Sequence, residues 1–138
     1  MKSDSLTELL PQAKEKTKRY IDDHMVVARK YKKPVVLEEF GFPRDGFRFS
    51  KDVPTTARDE YYGYVFDLIR RDRESGGLFA GCNFWAGGSF AEQNPGHVYW
   101  EKGDDYMGDP AQEQQGLNSV FATDTTVGII KAENEKLK

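Results

Sequence analysis

"KPVVLEEFGF", residues 33–42, decides how the rest of the chain is read. Three consecutive apolar residues, Val35, Val36 and Leu37, run directly into two carboxylates, Glu38 and Glu39, and then into Phe40 and Gly41. A short run that is apolar at successive positions has the character of a strand buried on both faces, as parallel strands are. Burying one unpaired carboxylate at the end of such a strand is costly and burying two is worse, so at least one of the pair is expected to have a use. Alternation places Val35, Leu37 and Glu39 on one face and Val36, Glu38 and Phe40 on the other, so the two glutamates cannot share a role. The alternative is a solvated pair that opens a loop.

The flanks supply the context of that strand. Residues 11–31 carry Ala13, Thr17, Tyr20, Ile21, His24, Val27, Ala28 and Tyr31 at spacings of three and four, which predicts an amphipathic helix with Pro11 in its first turn and a stop before Lys33-Pro34. After the loop at residues 41–55, a second helix is expected from Thr56, with Asp59 in an imperfect capping box. Tyr62, Val65, Phe66 and Ile69 form its buried face, and Gly76-Gly77 end it. "LFAGCNFW", residues 78–85, reads as the next buried strand. Helix, strand, helix, strand is the order of a parallel α/β sheet, in which ligands sit beyond the carboxyl ends of the strands. Residues 86–125 show little periodicity but carry Phe90, Tyr99, Trp100, Tyr106 and Phe121, which argues for an ordered, functional loop. A last helix over residues 126–137 turns Val127, Ile129 and Ile130 toward the core.

Composition narrows the function classes. The 138 residues are 38% hydrophobic and 31% charged, which suits one folded domain. The net charge of −3 is spread without a basic block, so nucleic acid is not an expected partner. One cysteine, Cys82, leaves no internal disulfide, and two histidines, His24 and His97, leave no common zinc pattern. No apolar run is long enough to span a membrane, and the N-terminal "MKSDSLTELLPQAKEK" lacks the apolar core of a signal peptide and reads as charged helix.

Candidate site residues gather at the strand ends. "NFW" closes the second strand, where Asn83 and Trp85 share a face and the Trp85 indole offers a stacking platform for a sugar or ring face. His97 and Trp100 in the aromatic loop are candidate ligand contacts. His24 reads as a core histidine and Cys82 as a buried small hydrophobe. Asp104, Asp105 and Asp109 lack the spacing of a calcium loop and read as a solvated acidic turn. Nothing in the residues calls for a metal or cofactor.

At "KPVVLEEFGF", "GCNFWAGGSF" and "GDPAQEQQGLNSVF" the chain resembles the C-terminal part of family 5 glycoside hydrolases, most closely their β-mannanase branch, over about residues 33–130. The resemblance implies the C-terminal part of a (β/α)8 TIM barrel, from the sixth helix to the eighth, as one partial catalytic domain over residues 1–138. It also implies a secreted or periplasmic protein. A full barrel takes about 250 residues, so the barrel is expected to be incomplete. By the same resemblance Glu39, immediately before Phe-Gly, is the catalytic nucleophile of a retaining endo-β-1,4-mannanase and Trp85 floors the subsite where cleavage occurs. Asn83, His97 and Trp100 complete the expected sugar contacts. Relatives often carry an aromatic where this chain has Gly87.

Retaining hydrolysis needs a second carboxylate about 5 Å from the nucleophile. In the family it follows an asparagine at a strand end, and here Asn134-Glu135 lies in the last helix, so the acid/base is absent from this sequence. The isolated chain is therefore expected to be inactive. A non-catalytic carbohydrate-binding or interaction module and part of an endo-β-glucanase are the competing readings. A partial barrel also exposes strand edges, so self-association or pairing with the missing N-terminal barrel half is expected.

Overall fold

A computed structural model describes residues 5–138; the first four residues of the charged N-terminal stretch lie outside the described residues. The elements are α1 (Ser5–Tyr31), β1 (Val35–Phe40), a short 3-10 turn (Asp45–Phe47), α2 (Thr56–Glu74), β2 (Phe79–Phe84), β3 (Gly87–Ser89), β4 (Val120–Phe121) and α3 (Thr125–Lys136). β1 and β2 pair in parallel, with Val35 opposite Phe79, Leu37 opposite Cys82 and Phe40 opposite Phe84. β3 and β4 form a second parallel pair.

α1 is longer than its sequence suggests, and its buried face is a different one. Pro11 lies inside the helix, because Leu6 and Leu10 are buried upstream of it. The core stripe is Leu6, Leu10, Ile21, Met25 and Ala28. Tyr20, His24, Val27 and Tyr31 form an exposed stripe instead, with the His24 ring against Tyr20 and its Nδ1 bonded to the Tyr20 carbonyl, so His24 is a surface rather than a core histidine. The helix ends with Lys32 in the left-handed region and the Lys33 N–H on the Ala28 carbonyl, one turn before Pro34.

α2 forms where the sequence places it, with Tyr62, Val65, Phe66 and Ile69 buried. The Thr55 side chain makes no cap bond to the helix backbone, although the Thr55 carbonyl accepts from the Asp59 N–H. Asp45, in the 3-10 turn, instead accepts from the N–H groups of Thr56 and Ala57 at 3.1 and 3.2 Å. Asp59 accepts from Thr55, Thr125 and Thr126, so one carboxylate joins the starts of α2 and α3. At the other end Gly76, at φ +75°, bonds back to Arg73 while Gly77 bonds to Asp72, a Schellman stop that only glycine adopts without strain.

The two long strands are covered on one face only, not on both as an apolar run implies. Val35, Leu37, Cys82 and Phe84 pack against the helices together with buried Phe40 and Phe79. Val36, Glu38, Ala80 and Asn83 are exposed on the other face. Two strands with helices against one side are an open α/β unit and not a closed barrel, consistent with an incomplete one.

Simple alternation also fails at the end of β1. Glu39 adopts φ +53°, and the register shifts between Leu37 and Phe40, so Phe40 returns to the face of Val35 and Leu37. Continued alternation would have aimed Glu39 into the helices. The shift gives that direction to Phe40, whose ring sits 4.8 Å from that of Tyr62, and leaves Glu39 exposed.

Candidate active site

The carboxyl ends of β1 and β2 are joined by backbone. The Trp85 N–H donates to the Phe40 carbonyl at 2.7 Å, which sets the indole-bearing residue beside the residue following Glu39. Gly41 runs so close that a Cβ there would lie 2.6 Å from the Trp85 carbonyl oxygen, so no larger residue fits without moving one strand end. The same carbonyl accepts from the Tyr62 hydroxyl at 3.4 Å. Burial holds that phenol well above its ordinary pKa, so it stays a donor. The Trp85–Ala86 peptide is cis.

The two glutamates part company here. Glu38 accepts from the Asn83 amide at 3.0 Å across the open face of the sheet. Glu39 is exposed, and among the described residues its carboxylate has neither an ion pair nor a hydrogen bond. Asn83 is thus engaged with Glu38, while Trp85 is half-buried. Cys82 packs on the core side, where burial pushes its thiol up to about 11.

His97 and Trp100 are tied into their own loop. His97 Nδ1 meets the Asp104 carboxylate at 2.8 Å, and the Trp100 indole N–H donates to the Asp104 carbonyl at 3.2 Å. The hydrogen bond that His97 donates to Asp104 raises the His97 pKa; Asp104 is itself held below the usual carboxylate range, first by the Glu101 N–H and then by His97. The acidic turn is not solvated throughout. Asp105 accepts from the Glu92 N–H, and Asp109 is fully buried, accepting from the Gly116 N–H and the Ser119 hydroxyl. Among the described residues no group of three or more His, Cys, Asp or Glu is placed to hold a metal ion.

Beneath the loop lies a cluster that sequence reading does not single out. Arg44 and Arg58 are both fully buried. Arg44 pairs bidentately with Asp124 at 2.6 and 2.9 Å and also reaches the carbonyls of Val53, Gly116 and Ser119. Arg58 donates to the carbonyls of Phe42, Leu117 and Ser119. The segment following Glu39 is thereby fastened to residues 116–124. A signal existed for Arg58, which falls on the stripe Arg58, Tyr62, Val65, Ile69; Arg44, after Pro43, has no such periodicity.

A parallel unit whose second strand end bonds Trp85 to the backbone of the residue after Glu39 defines the class, an open α/β unit of the barrel type. The matches then give the family. The family model described as GH family 5 beta-mannosidase-like matches residues 1–138. Crystal structures of a glycoside hydrolase family 5 mannosidase from Rhizomucor miehei, one of them in complex with mannosyl-fructose, superpose with a TM-score of 0.81 at 34% identity, covering 93% of this chain and 32% of theirs. A protein of Arabidopsis thaliana, provisionally named mannan endo-1,4-beta-mannosidase P, is 35% identical over 69 residues, 49% of this chain and 16% of its own. The chain belongs to the β-mannosidase-like branch of glycoside hydrolase family 5, and it spans about a third of the length of the solved relatives.

Proposed function

We propose that this chain carries the nucleophile of a retaining β-1,4-mannan hydrolase and works only when the rest of a barrel supplies a second carboxylate. The observation that carries the reading is Glu39: exposed, without a partner among the described residues, and one residue from the Phe40 carbonyl to which Trp85 is bonded. The Glu39 carboxylate attacks the anomeric carbon as the second carboxyl protonates the departing glycosidic oxygen. The resulting glycosyl ester is then cleaved by a water that the same second group deprotonates. Trp85 floors the sugar being cleaved. Glu38, bonded to Asn83, orients that amide toward the substrate side of the sheet.

One carboxylate cannot both attack and protonate, so the purified chain should leave mannan intact. Grafting it in place of the matching portion of the Rhizomucor miehei mannosidase should restore mannan hydrolysis, and Glu39→Gln should abolish it. A 2-deoxy-2-fluoro mannosyl fluoride should label Glu39 in the active graft. Reducing-sugar release by the pure chain, lost on Glu39→Gln, or labelling at another residue, overturns the reading.

A further inference from the structure

β1 is an edge strand. It pairs with β2 on one side, and no other described strand pairs with its far side, which leaves a row of backbone N–H and C=O groups open to a further strand. The helix beside that edge is uncovered too: Tyr20, Val27 and Tyr31, on the outer stripe of α1, are 57%, 54% and 62% exposed. The two surfaces meet. Tyr20, Ile21 and His24 of α1 line one groove of about 200 Å3 together with Val36, Leu37 and Glu38 of β1.

Charge that is nearly balanced over the whole chain is polarised along this strand. Arg29, Lys30, Lys32 and Lys33 stand at its start, and Glu38 and Glu39 at its end. Among the described residues Arg29, Lys32 and Lys33 have no ion pair, and the Lys30 ammonium has only the Tyr31 ring, 5.2 Å from its centroid. Other exposed cations of the helices do have carboxylates, Lys14 with Glu60, Lys18 with Asp22 and Arg70 with Glu74. Glu38 and Glu39 have no cation among the described residues. A strand that is basic at its start and acidic at its end is complementary to a second copy only when the two run in opposite directions, because parallel pairing sets like charges side by side.

We propose that two copies of this chain join antiparallel through the outer edges of β1, with Lys32 and Lys33 of each copy facing Glu38 and Glu39 of the other. A two-fold axis normal to the sheet makes the contact isologous and self-limiting. It also keeps the helices of both copies on one face of a four-stranded sheet, in the order β2-β1-β1-β2, and turns the outer stripes of the two α1 helices toward each other. The pairing does not depend on any substrate and stands apart from the proposed function.

Sedimentation velocity of the purified chain over a concentration series tests it. The chain should show a monomer–dimer equilibrium that weakens about three- to tenfold as salt rises from about 0.05 to 0.5 M. The double variants Lys32→Glu, Lys33→Glu and Glu38→Lys, Glu39→Lys should each weaken the dimer about tenfold or more, since each makes both ends of the strand alike in sign. Mixed in equal amounts, the two variants should form a mixed dimer at least as tight as the parent's, because every acidic end then meets a basic one. Lys131→Glu, at an exposed lysine of α3, should change nothing. All four reversed residues are exposed, so unchanged thermal midpoints in dilute solution would show that the variants fold. A monomer at every concentration overturns the proposal and leaves the edge to the strand that the rest of a barrel would supply. Open-ended aggregation, a dimer indifferent to the reversals, or reversed variants that fail to recombine on mixing overturn it as well.

Discussion

Glu38 and Glu39 close β1, and Arg44 follows a few residues later, yet the two charged groups have opposite fates. Arg44 and its neighbour Arg58 are fully buried, and between them they hold Asp124 and five backbone carbonyls. Among the described residues Glu39 is exposed and holds nothing, while Glu38 keeps one amide. A buried ion is tolerated only when its donors are matched, so the arginines report what the fold requires. An exposed carboxylate at a strand end has no such debt, so the fold places no demand on it. The contrast separates residues that build the strand-end platform from one that the fold leaves free.

The sharpest way to break that contrast is to remove the partner of the buried pair. Asp124→Ala strands Arg44 without its bidentate acceptor and should cost about 3–5 kcal/mol of stability, read as a fall in the urea midpoint or as loss of soluble protein. An unchanged midpoint would mean that the arginines are not structural. Gly41→Ala should cost about 1–3 kcal/mol, because its methyl meets the backbone oxygen of Trp85 rather than a side chain that can swing aside. In an active graft it should also lower turnover, since Glu39 and Trp85 would move apart.

At the other pole, Glu39→Gln should shift stability by no more than about 0.5 kcal/mol, a surface-like response in differential scanning calorimetry. A large loss would show that Glu39 has a structural partner after all. The smallest effect concerns pH. His97 has its pKa raised from 6.5 by Asp104, so its contribution to the loop is complete below 6.5 and lost as pH rises through the folded value. Asp104 has its pKa lowered from 3.8, so its contribution is complete above 3.8 and lost as pH falls through the folded value. The tie is therefore at full strength between those limits. An NMR titration should place the His97 midpoint above 6.5 and return it toward that value in Asp104→Asn; a midpoint indifferent to the substitution would contradict the geometry.

Much of this was legible in the letters, for reasons that differ by element. β1, α2, β2 and α3 emerge within a residue or so of their expected bounds, because their apolar periods are long or their ends carry Pro34 and Gly76-Gly77. β3 and β4 are too short to show any period, and their pairing joins residues far apart in the chain. α1 carries two interleaved stripes, and spacing alone does not say which of Ile21 and Tyr20 faces inward; the burial of Leu6 and Leu10 decides it. Of the candidate site, the strand-end placement of Glu39 and Trp85 follows from topology. The ties of Asn83 to Glu38 and of His97 and Trp100 to Asp104 do not, since each depends on a side-chain direction that a broken alternation or an irregular loop sets.

The left-handed backbone of Glu39 carries a meaning beyond geometry. A glutamate at φ +53° is disfavoured by about 1 kcal/mol or more, and the side chain returns nothing to the fold in exchange. Asparagine tolerates that conformation far better, so Glu39→Asn is a route by which random mutation would make this chain sturdier. Drift under selection for stability alone therefore runs away from glutamate at this position. Glu39→Asn should therefore raise the urea midpoint, the mark of a residue that folding alone does not call for.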